Sequence, residues 1–226
     1  MDVRVISIGA LSAHPLWNER GPVRPGHSTT TLIRTGDRAI LVDPGLPEAA
    51  IVPRLRERAN IGPEQITDVF LTSFRPDTRR AIETFTEADW WIAEAEREGV
   101  GLPLVDAMHR AREGGDQELQ QMLAHDIALL QRCKAAPDAF ADRVDLFPLP
   151  GVTPGLSGVL VAAPRHTLLV CGDAIPTVEH LEQGKVLQNA ADAEAAMRSF
   201  AEAVEIADLL VLGRDNLVVN PTRRPF

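Results

Sequence analysis

The sequence predicts an α+β fold: two β-rich halves, each carrying helices, that close as a four-layer αββα sandwich. Three observations point there. Strand-like runs, rich in Val, Ile, Leu and Thr, cluster toward both ends of the chain. Each half also contains a hairpin pattern: Thr30 to Ile33 and Ala39 to Val42 flank Gly36-Asp37, and Gly158 to Val161 and Thr167 to Val170 flank Ala163-Pro164-Arg165-His166. Helical periodicity occupies the middle and the flanks. With 226 residues, 45% of them hydrophobic, the chain can bury a full core as one domain, 1–226.

The elements follow in order. Residues 3–8 alternate like a strand, and 29–34 and 38–43 form the first hairpin. Residues 46–60 read as a helix, after which Ile61-Gly62-Pro63 turns the chain into a strand at 68–72. Residues 102–138 form a helical insert in which Leu119, Met122, Leu123, Ile127, Leu130 and Cys133 share a face. That stripe suits core packing, a lid over a pocket, or a homodimer interface. Strands at 144–148, 158–162 and 167–171 precede a helix at 189–207, with Met197, Phe200 and Val204 inward, and a last strand at 209–212.

Composition narrows the function classes. The formal net charge is -9, whereas a phosphate-backbone partner selects a basic surface, so nucleic acid is not expected. The Arg79-Arg80 and Arg223-Arg224 pairs are too short to change that. No apolar run is long enough to span a bilayer, and the amino terminus has neither the basic start nor the apolar centre of a signal peptide. Cys133 and Cys171 are the only cysteines, which fits reduced thiols and a cytoplasmic location with no membrane partner.

The chemistry concentrates at the ends of strands. Leu71-Thr72-Ser73-Phe74-Arg75-Pro76-Asp77-Thr78 follows an apolar strand. It resembles the Thr-His-x-His-x-Asp-His motif of the metallo-β-lactamase superfamily, with Ser73, Arg75 and Thr78 where His would stand and Asp77 kept. Four further segments match in order: Val42-Asp43-Pro44-Gly45 resembles the family's Asp-x-Gly, and Pro150-Gly151-Val152-Thr153-Pro154-Gly155 resembles Pro-Gly-His-Thr-Pro-Gly, with Val152 for His. Cys171-Gly172-Asp173 resembles the strand end that delivers a metal-bridging carboxylate, and Gly213-Arg214-Asp215 resembles Gly-His-Asp, with Arg214 for His. The resemblance runs from about residue 29 to 215, and the helical insert resembles that of the lactonase-like branch; the active-site Tyr of that branch is absent, since this chain has no Tyr.

What the resemblance implies is a metallo-β-lactamase-like domain whose metal-site positions are vestigial: Ser73, Arg75, Asp77, Thr78, Val152, Asp173 and Arg214. Two carboxylates cannot make a zinc site that needs three or four converging ligands, so the expected cofactor is none. Buried without partners, Asp77 and Asp173 would cost several kcal/mol each. Arg75 and Arg214 are the charges placed to replace the metal, since a guanidinium stays ionised and matches carboxylate geometry. The six His, at 14, 27, 109, 125, 166 and 180, show no metal-ligand spacing, and His166 and His180 read as polar surface residues.

The reading is a pseudoenzyme that binds a small molecule or a protein partner through the old cleft. One alternative is a remodelled hydrolase of esters, thioesters or lactones, with Ser73, Asp77 and Asp173 as candidate catalytic residues and His27 or His109 as the base reaching Ser73. Another is a structural subunit that dimerises through the insert.

Overall fold

The computed structural model describes residues 1–222, so Arg223-Arg224 lies outside the described residues. Two six-stranded mixed sheets form the centre. The first, in the order β1-β2-β3-β4-β5-β6, comprises β1 (Asp2–Ser7), β2 (Thr30–Thr35), β3 (Arg38–Val42), β4 (Asp68–Leu71), β5 (Asp89–Ile92) and β6 (Lys134–Ala135). The second, in the order β12-β11-β10-β9-β8-β7, comprises β7 (Ala139–Ala141), β8 (Val144–Pro148), β9 (Ser157–Ala162), β10 (Thr167–Val170), β11 (Leu209–Val211) and β12 (Leu217–Val219). The four-layer αββα sandwich is therefore the architecture.

Strand alternation builds the layers. On β3, Ile40 and Val42 point between the sheets, where they join Ile33 and Phe70 against Val159, Val161, Val170 and Val211. Leu41 points outward, into a second core with Val69, Trp90 and the inner faces of α1 (Glu48–Ala59) and α3 (Gln117–Arg132). On the far face, Leu169, Leu210 and Leu212 pack under α4 (Val178–Gln183) and α5 (Ala193–Ile206) through Leu181, Phe200 and Ala203. Fully burying a side chain of this size contributes about 1.5–3 kcal/mol, so these three cores are the main source of stability.

Several expected boundaries move. The insert's first helix, α2 (Glu94–Glu113), starts before residue 102, because β5 feeds it directly, and the chain returns to the first sheet at β6 rather than continuing to 138. Of the α3 stripe, Leu123, Leu130 and Cys133 are buried, and Leu119 and Ile127 partly so, but Met122 is 58% exposed. It stands next to Leu123 in sequence, about 100° around the helix. In α5 the inward face is Ala196, Ser199, Phe200 and Ala203, and Met197 is exposed for the same reason. Strands β5, β6, β7 and β12 lie outside the expected elements; all four are two to four residues long, too short for alternation to register.

The topology places one edge for chemistry. β3 and β4 run parallel, as do β10 and β11, so the carboxyl ends of all four strands deliver their following loops to the same edge. The sheets are stitched together there: Thr29 N–H donates to Gly213 O at 2.8 Å, and Ser157 N–H to Thr72 O at 3.0 Å. Gly172 permits close approach of the two sheets here, since a Cβ on it would lie 2.8 Å from the Thr72 side chain. Among the described residues no helix is long and apolar enough to cross a membrane.

Candidate functional site

Each strand end contributes one polar group. The chain leaves β3 at Asp43, which takes φ of 52° and is 2% exposed. Its carboxylate accepts Thr72 N–H at 2.8 Å and Thr72 Oγ1–H at 2.6 Å, locking the end of β4 to the end of β3. Burial pushes the Asp43 carboxyl up to about 7, against the opposing pull of the Thr72 donors and Arg214.

After β4, the loop from Ser73 to Thr78 folds as a turn. Thr78 Oγ1–H is placed between two carbonyls, Ser73 O at 2.7 Å and Arg75 O at 2.8 Å, so Thr78 braces the turn from within. Ser73 is fully buried and its Oγ has no partner among the described residues. No base addresses it: His27 Nε2 faces Ile8 O at 3.1 Å, and His109 is exposed on α2. Val152, in the β8–β9 loop, is buried in the core under α5.

The remaining four residues converge. Arg214, whose side chain is 2% exposed, donates Nε–H to Asp173 Oδ1 and Nη2–H to Asp173 Oδ2, both at 2.7 Å. This is the bidentate fork that a planar guanidinium makes best. The adjoining end of the same guanidinium donates to both oxygens of Asp77, through Nη1 to Oδ2 and through Nη2 to Oδ1, so Nη2 serves both carboxylates. Arg75 Nη1–H reaches Asp173 Oδ2 at 3.2 Å. Two guanidiniums thus face two carboxylates, and the formal charges cancel. Burial works against ionising Asp173, yet Arg214 and then Arg75 outweigh it and hold the carboxyl below its usual range. The same pairing raises Arg214 above the ordinary guanidinium range although burial opposes it.

These residues do not suit a zinc ion. Val152 offers no ligating atom, Ser73 and Thr78 offer only neutral hydroxyls, that of Thr78 already held by two carbonyls, and the two aspartates share one guanidinium that lies between them. Among the described residues no three His, Cys, Asp or Glu side chains form a group that could hold a metal.

Two further clusters frame the site and were not singled out from the sequence. Glu96, fully buried at the start of α2, accepts Phe74 N–H and Gly155 N–H, each at 3.0 Å, and so ties the Ser73–Thr78 turn to the β8–β9 loop. Nothing in its local sequence distinguishes it from a surface helix Glu. His14, Thr177, Glu179 and His180 form the other cluster. Thr177 Oγ1 lies 3.1 Å from His14 Nε2, 2.9 Å from His180 Nδ1 and 2.8 Å from Glu179 Oε2. His14 stacks on Trp17, which donates Nε1–H to Glu179 at 3.1 Å. Both histidines are buried, correcting the expected surface role of His180, which lies in α4 and not in a loop. Burial, then His14, lowers His180 to about 4, so it is neutral at pH 7.

The cluster anchors the Pro-rich segment after β1 over the Arg–Asp network. Between them lies an open cleft of about 390 Å³, with Arg75, Asp77 and Arg214 on its floor and Leu11, Glu19 and Leu187 among its walls.

A family model described as the metallo-beta-lactamase superfamily matches residues 23–72, ending at the residue before Ser73. No curated protein matches the sequence. Among solved structures, a provisionally assigned metallo-β-lactamase from Thermotoga maritima superposes with a TM-score of 0.69 at 18% identity, covering 96% of this chain and 98% of that one. The dizinc quorum-quenching lactonase AidC, in complex with a homoserine product, superposes at 0.61 with 19% identity over 79% of this chain and 67% of its own. AiiA of B. thuringiensis, solved with N-decanoyl-L-homoserine at its active site, reaches 0.58 with 20% identity over 81% and 78% of the two chains.

Proposed function

Given that the chain has the fold of the metallo-β-lactamase superfamily, we propose that it is a metal-independent binding protein built on that scaffold, in which an arginine–aspartate network has replaced the zinc centre and the cleft above it receives a small molecule. One observation carries this reading: the Arg214 guanidinium is buried between Asp77 and Asp173, hydrogen-bonded to both. A cation would have to displace a fixed positive charge to bridge the two carboxylates. Because zinc hydrolases rely on the metal to bring a bound water's pKa toward about 7, a site without it has no such nucleophile.

The serine-based alternative lacks support, since Ser73 Oγ is enclosed and has no base beside it. A hydroxyl needs such a base to act at neutral pH. The cleft is open and sets charged groups on its floor beside apolar side chains such as Leu11 and Leu187, a combination that suits a small-molecule site.

The reading is tested by assaying purified protein against N-acyl homoserine lactones, thioesters and β-lactams with and without a chelator, while ligand-observed NMR with small-molecule mixtures reports binding. Binding at the cleft with no chelator-sensitive turnover is expected. Chelator-sensitive hydrolysis that disappears in Asp77→Ala would overturn the reading.

A further inference from the structure

Charge pairing around the cleft is incomplete at two positions. Glu19, on the wall, is neutralised by Arg24, which donates to both of its oxygens. Asp77 and Asp173 are matched by Arg214 and Arg75. Arg20, exposed at the rim, has no partner among the described residues and leaves the cleft with one positive charge in excess. Arg75 is the second position: its side chain is 25% exposed and makes one hydrogen bond, to Asp173 at 3.2 Å. A guanidinium has five N–H donors in a planar fork, so most of those on Arg75 have no acceptor in the protein.

We propose that the cleft binds a small organic monocarboxylate, its carboxylate held by Arg75 on the floor and Arg20 at the rim. This rests on the reading of the cleft as a ligand site. A planar carboxylate accepts two parallel N–H bonds from one guanidinium, and a charge-assisted pair of this kind is about twice as strong as a neutral one. The single excess charge matches a monoanion, whereas a phosphate dianion would leave the site negative. The body of the acid lies against Leu11, Pro15 and Leu187, with the amides of Gln188 and Asn189 available to a polar substituent. The volume of about 390 Å³ is at the lower end of the range for small-molecule pockets, so a compact acid fits and a large one does not.

Matched acids and amides separate charge from shape. Hexanoate with hexanamide, benzoate with benzamide, and inorganic phosphate are titrated by ligand-observed NMR and calorimetry into the wild type, Arg75→Gln and Arg20→Gln. Each acid should bind at least about tenfold more tightly than its amide and more tightly than phosphate. Either substitution should weaken the acid by about tenfold and leave the amide unchanged. Arg20 is exposed and unpaired, so its variant retains the fold even if Arg75→Gln disturbs the network. If acids and amides bind equally, phosphate binds best, or both variants keep full affinity for the acids, the carboxylate assignment is wrong and the cleft still stands as a ligand site. If no acid or amide binds, both readings fall.

Discussion

Replacing Arg214 by Ala tests the network where it is most exposed to failure. The wild-type side chain is 2% exposed and donates four hydrogen bonds, two to each aspartate. Without it, Asp173 is left 3% exposed with only the 3.2 Å contact from Arg75. Removing one member of a buried pair strands the other charge, which costs about 3–5 kcal/mol. Asp77 adds little to that figure, because a third of its side chain meets solvent that screens it. For a chain of this length, about 2–4 °C of melting temperature is lost per kcal/mol, so a fall of roughly 6–20 °C at pH 7 is expected.

The pH dependence separates the electrostatic cause from a simple cavity. In Arg214→Ala, burial is no longer outweighed, so Asp173 in the folded state protonates above its unfolded value of about 3.9. A group raised in this way costs stability as pH rises through that window and costs nothing once both states are protonated. The melting gap between wild type and variant should therefore narrow from pH 7 toward pH 4. Adding Asp173→Asn to Arg214→Ala should recover stability relative to Arg214→Ala alone, as coupling between contacting residues requires. A melting temperature within about 2 °C of wild type, or a gap that stays constant with pH, would refute the buried network.

Three other substitutions read the surroundings. Asp43 is pushed up to about 7 by burial, so the folded chain keeps a proton that the unfolded chain loses between about pH 4 and 7, and stability from this group falls as pH rises through that interval. Asp43→Asn should remove about 2–3 kcal/mol at most of that decline between pH 5 and 7; equal urea-midpoint slopes in the two proteins would count against it. Ser73→Ala deletes an enclosed hydroxyl without a partner, so chemical denaturation should show no loss or a gain of about 1 kcal/mol, and a clear loss would mean that the hydroxyl has a role in the fold. Glu96→Gln turns one of two acceptors into a donor facing Phe74 N–H or Gly155 N–H, and should cost about 1–3 kcal/mol by the same measurement; an unchanged midpoint would remove Glu96 from the stitching of the two loops.

The sandwich was legible because β3, β4, β9 and β10 are largely apolar runs bounded by turn residues, and their order carries a pattern of strand ends. Helix starts were less legible: α2 begins without a side-chain cap and contains Gly99, Gly101 and Pro103, so its amino-terminal turns look like loop. Asp77, Asp173, Arg75 and Arg214 could be named from the sequence because each ends a strand or opens the loop behind it, and the geometry brings these four together. Ser73 and Thr78 stand on the same loop as Arg75 and Asp77, and Val152 on the β8–β9 loop, but all three turn inward, a property of side-chain direction that spacing alone does not encode. Glu96 reaches partners 22 and 59 residues away, and His14 reaches Thr177 across 163 residues, separations for which no local signal exists.

Metal stoichiometry is the most direct measurement of whether the Arg–Asp network has replaced the zinc centre. Protein expressed in zinc-, iron- and manganese-supplemented medium and purified without chelator is analysed by mass spectrometry of the elements, beside a variant carrying His at positions 73, 75, 78, 152 and 214. The wild type should hold well under one equivalent of any of these metals, while the variant, with imidazoles restored at the same strand ends, should take up metal. One or more equivalents in the wild type, bound through Asp77 or Asp173 and lost when either is replaced by Ala, would contradict the replacement of the metal by Arg214.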